Sequence, residues 1–367
     1  MTDRSIDEEV AIAFDRDPDL LAQYSLVFET LPLDPFALFV VDVLDKEDPA
    51  LETRKAYYLL IGRWKKYMSQ VGRHPACPSV THVQGFYNHW TSRGLNPDTV
   101  GTKLKRLGRM FQYFQAHPVF PHPPEYDPFS LVIETTDFSR EKPKKPHRIP
   151  LTEIRAVLEG VTHLRDRLII CLQLKLGLRA SEVANLQLQD VHLDDEEGLF
   201  SETYPELGAH ERVRPHEAAL YIASRDERPK NKSRCPRVLP IGAELHSLLT
   251  PYLLVRPDAP TDGLLLGHPT HRPISAETVG RVWREAFLPE YGETDVHRAV
   301  TSHFGRHYFS TYWRVKQGLN RELLKYMRGD TTPEWLSRPQ DALEEYVHTY
   351  FEDIEAIYRE RNFVIFP

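Results

Sequence analysis

Prolines divide this chain into two parts. Between about residues 118 and 150 they are dense enough to prevent helix and weaken strand, first in "HPVFPHPPEYDPF" and then in "EKPKKPHRIP". The chain has 367 residues, more than one hydrophobic core usually serves. We therefore predict two domains joined by a linker that is stiff in places. The predicted segments are an acidic N-terminus at 1–20, a first domain at 21–130, a linker at 131–149 and a second domain at 150–367.

Composition is typical of a soluble globular protein, with 41% hydrophobic and 27% charged residues. The longest apolar runs, such as "LFVVDVL", are too short to cross a bilayer, so we expect a cytoplasmic protein with no membrane partner. Cys77, Cys171 and Cys235 are odd in number and contain no CxxC pair, which argues against disulfides and zinc. "HPACPSVTH" lacks a well-spaced fourth ligand, and we expect no metal or other cofactor.

Charge is unevenly distributed along the chain. The net charge of -7 discourages nucleic-acid binding, because phosphate contacts rely on Lys and Arg. Residues 142–148, "KPKKPHR", nevertheless hold four cations and no acid. A global average can hide a local basic face. Lys144 and Lys145 of this segment are therefore candidates for contacts with nucleic-acid phosphates.

Two segments combine apolar residues at helical spacing with cations on the intervening positions, "ALETRKAYYLLIGRWKKYMSQVG" and "LNPDTVGTKLKRLGRMFQYFQAH". The apolar positions are Leu51, Tyr58, Ile61 and Trp64 in the first and Val100, Leu104, Leu107, Phe111 and Phe114 in the second. The cations predicted to bind DNA are Lys65, Lys66, Lys103, Lys105, Arg106 and Arg109. A clamp on a phosphate backbone and an ordinary solvated helix face both remain open for this region.

The second domain begins with helical signals. "PLTEIRAVLEG" predicts a short helix capped by Thr152 and ended by Gly160, and a long apolar helix follows over residues 164–176. "AALYIAS" and "RVLPI" flank the polar "RDERPKNKSRCP", which predicts a β-hairpin with an extended tip. From Ser275 onward the pattern is helical again. The fold class is therefore mainly α with a small β-sheet or hairpin.

The stretch "LGLRASEVANLQLQD" places an arginine where a helix begins. Arg179 stands between an apolar run and a segment of helical periodicity, and Glu182 follows three residues later. The amino end of a helix attracts anions, and a guanidinium adds to that attraction. A phosphodiester gains negative charge in the transition state of its transfer, and forked guanidinium donors match that geometry. Alone, an arginine and a glutamate at this spacing usually form a surface salt bridge.

Further groups suit the same chemistry. "TSHFGRHYFSTYW" places His303 and Arg306 on one helical face, with His307 following, and Lys232 lies at the hairpin tip. "EEYVHTYFEDIEAIY" offers the tyrosines Tyr346, Tyr350 and Tyr358. Each of these features alone has an ordinary explanation, as a chance match, a solvated cation or a packed ring. Their order along the chain is what raises their weight.

That order resembles the tyrosine recombinase, or phage integrase, family. "GLRASEVANLQLQDV" is similar to the first arginine box of the family, and the resemblance extends across residues 150 to 350. The N-terminal half is more loosely similar to the helical core-binding domain. The resemblance implies a two-domain architecture, with that helical domain followed by a mixed α+β catalytic domain. An archaeal-type member is one form that it can take.

The resemblance implies a role for each matching residue. Arg179 and Arg306 would clamp the scissile phosphate, and Glu182 would hold the arginine-bearing turn in place. His303 would act as an acid–base partner or hydrogen-bond the phosphate, with His307 in support.

It also implies the groups that exchange the strands. Lys232, with Lys230 as the alternative, would donate a proton to the leaving 5′ oxygen. Tyr346 would be the nucleophile that forms a 3′-phosphotyrosyl link to DNA, with Tyr350 as the alternative.

The chain departs from the family pattern in two regions. "MRGD" places Asp330 where the family has a histidine or tryptophan that contacts the phosphate, and an anion pointing inward there would repel the substrate. The gap from Asp330 to Tyr346 is also long, and Trp335 within it is a candidate substitute. Residues 194–217 resemble an insertion directly before the predicted hairpin.

Three functions remain open at this level. The first is a site-specific DNA recombinase or integrase of a mobile element, for which the resemblance implies a homotetramer on paired double-stranded DNA sites at the nucleoid. The second is a DNA-binding protein that keeps the fold without cleavage. The third is a nicking enzyme similar to a type IB topoisomerase.

Overall fold

The computed structural model describes residues 13–14, 17, 19–138, 144–194, 198–330 and 346–366. The side chains of residues 346–350 also lie outside the described part. The chain divides into two compact units, Met1–Pro143 and Lys144–Pro367. No described helix is both long enough and apolar enough to span a bilayer.

Among its described residues, the regular structure of the first unit is entirely helical. A 3₁₀ turn at Ala22–Tyr24 precedes the helices, and a π-helical turn at Val40–Leu44 joins α2 to α3. The helices are α1 (Ser25–Thr30), α2 (Pro35–Phe39), α3 (Asp45–Glu47), α4 (Leu51–Gln70), α5 (Val80–Thr91), α6 (Pro97–Ala116) and α7 (Pro128–Thr135).

Helix α6 places its apolar residues as predicted, and α4 does so in part. All five predicted positions of α6, from Val100 to Phe114, are buried. In α4 the prediction is wrong at Leu51 and Tyr58, which are 62% and 52% exposed. The buried stripe of α4 instead consists of Tyr57, Leu60, Ile61, Trp64 and Met68. One residue of offset turns a side chain by about 100° around a helix, so Tyr58 lies beside this stripe.

A helix forms inside the proline-rich segment, contrary to the prediction that prolines prevent it there. Helix α7 starts with Pro128 and runs five residues into the segment predicted as linker. The first turn of a helix needs no N–H from its first residue, so proline starts a helix where it would break one further on. Asp127 caps the helix, its Oδ1 accepting from the backbone N–H groups of Phe129 and Ser130 at 3.0 Å each.

The second unit combines helices with a three-stranded sheet. Short turns of 3₁₀ helix at Leu188–Asp190 and of π-helix at Tyr312–Lys316 complete it. Its elements are α8 (Leu151–Glu159), α9 (Leu164–Leu176), α10 (Ala180–Ala184), β1 (Val191–His192), β2 (Ala219–Ile222), β3 (Arg237–Pro240), α11 (Ala243–Val255), α12 (Ala276–Tyr291), α13 (Ser302–Thr311), α14 (Arg321–Arg328) and α15 (Tyr346–Arg361).

The predicted bounds of α9 are confirmed, and those of α8 hold at its end. Gly160 follows the last residue of α8 as predicted, but Thr152 is not its cap. The helix begins at Leu151 after Pro150, which leaves Thr152 inside the first turn with no capping bond. Helix α9 is buried on nearly every side, which explains its continuous apolar pattern.

The predicted hairpin is confirmed, and a third strand extends it. The three strands lie in the order β1-β2-β3 and are antiparallel, with Leu220 opposite Leu239. Alternate residues face opposite sides, so Leu220 joins the main core while Tyr221 joins a second cluster. Residues 193–218, which contain the predicted insertion, connect β1 to β2.

Gly177 ends α9 and sets the direction of the chain beyond that helix. Its φ of +65° lies in the left-handed region, where a side chain is strained. A Cβ at this position would lie 2.5 Å from Cδ1 of Phe309 on α13. Its carbonyl accepts a hydrogen bond from Nη1 of Arg306 at 2.8 Å. This glycine therefore brings the end of α9 close to α13, which carries a predicted site residue.

We expect Gly177→Ala to lower the free energy of unfolding by about 2–4 kcal/mol, from left-handed strain and overpacking together. Denaturant unfolding followed by circular dichroism measures the change. The matched control is Gly280→Ala in α12, where φ is ordinary and the nearest atom to a new Cβ is 3.9 Å away. That variant should gain roughly 0.5–1 kcal/mol from helix propensity. Equal effects of the two substitutions would contradict the assigned role of Gly177.

Candidate active site

Arg179 stands at the amino end of α10 and is held there by Glu182. Its backbone N–H donates to Oε2 of Glu182 at 2.8 Å, and its Nη1 donates to Oε1 at 3.1 Å. Arg179 itself has extended backbone, with φ -74° and ψ 153°. The three-residue spacing therefore lets Glu182 bond both the backbone and the side chain of Arg179 at the amino end of α10.

Glu182 is buried and serves two arginines. Its Oε2 accepts from Nη2 of Arg237 at 2.9 Å, and its Oε1 accepts from Nη1 of the same residue at 3.2 Å. Burial raises the pKa of Glu182, but the charges and hydrogen bonds of Arg237 and Arg179 outweigh it and hold the pKa below its usual value. Glu182 is therefore ionised at neutral pH.

Arg237 is a supporting residue that the sequence-based set omits. It lies at the start of β3, is 2% exposed, and donates from Nε to the carbonyl of Met327 on α14 at 2.9 Å. The sequence signal for it is weak, since it amounts to one cation opening the otherwise apolar run "RVLPI". Through Arg237 and Glu182, the first arginine box is tied to the sheet and to α14.

Arg306 and Arg179 converge on one oxygen atom. Nη2 of Arg306 lies 2.6 Å from Oδ1 of Asp330, and Nη2 of Arg179 lies 2.5 Å from the same atom. Nη2 of Arg328 lies 2.9 Å from the other oxygen, Oδ2. Burial and the nearby Arg179 lower the pKa of Arg306 to about 9, which still leaves it charged at neutral pH. The two residues predicted as a phosphate clamp therefore meet at a single anion.

Asp330 points inward, which is the arrangement that the sequence flagged as unfavourable for a phosphate. Gly329, with φ of +62°, ends α14 and turns the chain towards the arginines. The backbone N–H of Asp330 donates to the carbonyl of Lys325 at 2.9 Å. Its side chain is 29% exposed, so solvent reaches the cluster.

His303 lies next to this cluster, on the same helix as Arg306. Burial lowers the pKa of His303, and the charges of His307, Lys232, Arg306 and Arg179 lower it further. With a pKa below the usual 6.5, the imidazole is neutral at pH 7 and can accept a proton. The ring of His307 lies 6.5 Å from that of His303. Both residues reach solvent, so the burial that acts on His303 is partial.

Lys232 is presented by a loop with buried anchors on both sides. Asn231 and Ser233 are 3% and 2% exposed, whereas Lys232 is exposed. Asn231 donates from Nδ2 to the carbonyl of Ala223 at 2.9 Å, and Ser233 donates from Oγ to the carbonyl of Gly329 at 3.1 Å. The loop is thereby held at the end of α14, beside Asp330.

Lys230, the alternative to Lys232, differs in two respects. It has a positive φ of 83°, and its charge is not among those that lower the pKa of His303. Of the two lysines, Lys232 is therefore the one whose charge acts on His303.

Of the three C-terminal tyrosines, only Tyr358 has a described side chain. It is 0% exposed, its Oη donates to the carbonyl of Lys175 at 3.2 Å, and burial raises its pKa, so it packs in the core. Tyr346 is the first residue of α15, but its side chain and that of Tyr350 lie outside the described part. Trp335 lies outside the described residues altogether.

Several predicted DNA-binding cations have acidic partners. Nζ of Lys65 lies 2.5 Å from Asp34, Nζ of Lys144 lies 2.6 Å from Glu293, and Arg109 pairs with Glu47. Exposed ion pairs of this kind contribute little stability, and phosphates can replace the acids. The residues Lys66, Lys105 and Lys145 are exposed.

Lys103 belongs to a cluster of cations in the first unit. Burial lowers its pKa, and the charges of Arg63 and Arg106 lower it further. Arg63 lies over the ring of Trp90 at 5.0 Å, and Arg106 lies over that of Tyr57 at 5.5 Å. Mutual repulsion among three cations makes this surface receptive to an anion. Arg63 is a further candidate for a phosphate contact, and it is not among the cations predicted from the sequence to bind DNA.

Metal ligands do not cluster within the described residues, where no three His, Cys, Asp or Glu side chains lie together as an ion would require. The site is instead a convergence of cations around one carboxylate.

A family model supplies the deciding observation. The model described as the phage integrase family matches residues 148–331. The chain belongs to the phage integrase family. The matched segment contains Arg179, Lys232, His303, Arg306 and Asp330, and it ends before Tyr346. The predicted family is confirmed, and with it the predicted function class, a tyrosine-type site-specific recombinase.

Solved structures share the fold of this family member. The Tn1549 transposon integrase in complex with a circular intermediate DNA is 17% identical, with a TM-score of 0.59 over 87% of this chain and 99% of that one. A lambda integrase tetramer bound to a Holliday junction is 12% identical, with a TM-score of 0.54 over 90% of this chain and 83% of that one. The predicted mainly α, two-domain recombinase fold is therefore confirmed. A search of curated proteins found no match.

Glu182 gives this site a testable pH dependence. Because its folded pKa is lowered, its ionisation stabilises the fold above the unfolded pKa of about 4.3, and that contribution is lost as pH falls through the folded pKa. We expect Glu182→Gln to cost about 3 kcal/mol or more at pH 7, since it leaves Arg237 buried beside a neutral group. The acid-induced loss of stability should also be smaller in this variant. Denaturant unfolding at pH 7 and between pH 5 and 3 measures both.

The matched control is Glu285→Gln on α12, whose exposed carboxylate pairs with Arg281 at 3.2 Å. Surface pairs at this spacing contribute at most about 0.5 kcal/mol. A Glu182 variant as stable as this control would show that the buried network does not hold the site.

Proposed function

We propose that this chain cuts and rejoins DNA strands through a 3′-phosphotyrosyl intermediate, with Arg179 and Arg306 as the clamp on the scissile phosphate. One observation carries the proposal. Two guanidinium groups from distant parts of the chain direct N–H donors at a single carboxylate oxygen, at 2.5 and 2.6 Å. Donors arranged around one anionic oxygen also suit a non-bridging phosphate oxygen.

The residues that the family resemblance names account for every bond and proton of the proposed reaction. The phenolic oxygen of Tyr346 attacks phosphorus, and the bond from phosphorus to the 5′ oxygen breaks. The ammonium of Lys232 gives a proton to that leaving oxygen, and neutral His303 takes the proton of the phenol. The arginines stabilise the charge that builds on the phosphate oxygens. Reversal by a 5′ hydroxyl of another strand restores the phosphodiester without an external energy source.

Partners are inferred from the relatives and from the charge pattern. The Tn1549 and lambda integrase structures contain DNA, the latter as a tetramer on a Holliday junction. We propose double-stranded DNA and a homotetramer on paired sites for this chain too, working in the cytoplasm at the nucleoid. The cation cluster of Arg63, Lys103 and Arg106 supplies a phosphate contact in the first unit.

The inward position of Asp330 favours one second candidate. A protein whose phosphate clamp is filled by its own carboxylate could bind DNA without cutting it. A topoisomerase-like nicking enzyme would share the cleavage chemistry but would not join two duplexes. Covalent capture separates the first alternative from the proposal, and joint-molecule products separate the second.

The test begins with DNA from the protein's own genetic neighbourhood, incubated with the purified chain so that covalent ends can be mapped. A duplex nicked beside the mapped site then traps the intermediate. We expect a covalent adduct with the wild type and none with Tyr346→Phe, while DNA affinity stays within about twofold because one hydroxyl is removed. Gel shift and denaturing electrophoresis measure binding and adduct separately.

The outcomes of that test distinguish the candidate functions and the candidate nucleophiles. Binding without any adduct in the wild type would overturn the cleavage proposal in favour of the DNA-binding alternative. An adduct that persists in Tyr346→Phe and is lost in Tyr350→Phe would move the nucleophile by one helical turn.

Asp330 implies an exchange of anions during substrate binding. Asp330 accepts hydrogen bonds from Nη2 of Arg179 and Nη2 of Arg306. The proposed phosphate contact requires the same two donors. Two anions sharing one pair of donors repel each other, so the carboxylate must leave when the phosphate arrives. Arg328, bonded to the other carboxylate oxygen, can retain Asp330 after that exchange.

We therefore expect Asp330→Asn to lower the DNA concentration for half-maximal cleavage by on the order of tenfold, because a neutral amide competes less strongly than a carboxylate for Arg179 and Arg306. The control is Glu322→Gln on α14, which removes an equal charge paired with Lys325 at 3.0 Å and should change little. Cleavage rates across a DNA titration measure both. A fall in the rate at saturating DNA with unchanged half-saturation would show that Asp330 orients the arginines and is not displaced.

A further inference from the structure

The connection from β1 to β2 is an element that the proposed chemistry leaves unused. Its first half is anchored in the main core, where Phe200 and Tyr204 are 4% and 9% exposed. The hydroxyl of Tyr204 donates to the carbonyl of Leu253 on α11 at 3.0 Å. Gly208, with φ of +64°, lies so close to β1 that a Cβ would sit 2.7 Å from Nδ1 of His192. Residues 198–209 are therefore fixed to the body of the second unit.

The second half of the connection covers the outer face of the sheet. Val213 is 0% exposed and belongs to a small apolar cluster with Tyr221 of β2 and Val238 of β3. The ring of His210 stacks on Tyr221, with centroids 3.9 Å apart and planes 22° apart. Arg212 lies over the same Tyr221 ring at 5.6 Å. This half of the connection therefore packs against β2 and β3.

Among the described side chains of α15, one belongs to the same cluster. Phe351 is 3% exposed, and its ring centroid lies 3.8 Å from that of His216. Ile354 and Tyr358, further along α15, belong instead to the main core. Phe351 follows Tyr350 directly and Tyr346 by five residues. The insertion therefore contacts the helix of the proposed nucleophile at the first of its described side chains.

We propose that the insertion positions the nucleophile, with His216 as the positioning residue that fixes the amino-terminal half of α15 through Phe351. This inference rests on the proposed function and deepens it. Burial lowers the pKa of His216, so a neutral ring packs on Phe351 as an apolar partner would. A nearby ion pair, Glu217 with Arg359 at 3.6 Å, has a mostly exposed carboxylate and adds little. Tyrosine attack needs atomic alignment with the phosphate, and a shift of about 1 Å can cost 10²-fold in rate.

The experiment measures covalent adduct formation and DNA affinity on the mapped, nicked duplex. His216→Ala should slow adduct formation by about tenfold or more while DNA affinity changes less than about twofold. His216→Phe, which keeps a ring against Phe351, should restore most of the rate. The matched control is His210→Ala, which removes an equal stacked ring from the same insertion but one whose partner is Tyr221 of β2. It should cleave nearly as the wild type does.

A second substrate distinguishes positioning from loss of the acid. A duplex with sulfur in place of the leaving 5′ oxygen needs no proton donor, because a thiol has a far lower pKa than an alcohol. This substrate should restore cleavage by Lys232→Ala and should leave His216→Ala slow, since the attacking group is the one out of place. Restoration of His216→Ala would overturn the proposal.

The remaining outcomes are equally decisive. A wild-type rate in His216→Ala, or equal losses in the His216 and His210 variants, would overturn the positioning role and leave the recombinase function standing. Absence of any adduct in the wild type would instead overturn the proposed function. Unchanged DNA affinity and an unfolding transition like that of the wild type show that each variant is folded.

Discussion

A buried carboxylate between two arginines holds the candidate site together. Glu182 closes the turn that carries Arg179 and neutralises Arg237, which reaches from the sheet to α14. Its side chain is fully enclosed, so the charges meet in a medium where attraction is strong and an unpaired partner is costly. That pairing places an arginine at a helix mouth without leaving its charge unbalanced. Arg306 and Arg328 lie with Arg179 around the carboxylate of Asp330.

The second anion of the site belongs to the end of α14. Asp330 satisfies three arginines at once, and a cluster of such cations close together would otherwise repel itself. In the DNA-free chain the carboxylate stabilises an arrangement that the proposed phosphate would take over. The residue that departs from the family pattern is thus also the one at which Arg179, Arg306 and Arg328 meet.

Local patterns predicted much of the fold. The sequence predicts both ends of helix α9 because an element buried on nearly every side leaves an uninterrupted apolar signal. The hairpin was predicted because a polar turn segment separates two apolar runs. Predictions were wrong where a residue has two uses, as with Pro128, which starts a helix, and Thr152, which lies inside one. Tyr58 was misplaced because a one-residue offset is hard to see in a sequence rich in apolar positions.

The sequence by itself determined the family, the order of the charged residues and the elements that carry them, because these depend on residue type and spacing along the chain. Only the tertiary structure decided that Arg179 and Arg306 meet at Asp330, that Arg237 is buried beneath them, and that the insertion packs on α15. Such contacts join residues up to 151 positions apart, as in the bond from Arg179 to Asp330. Their geometry depends on how whole helices and strands pack, and no local pattern of residues encodes it.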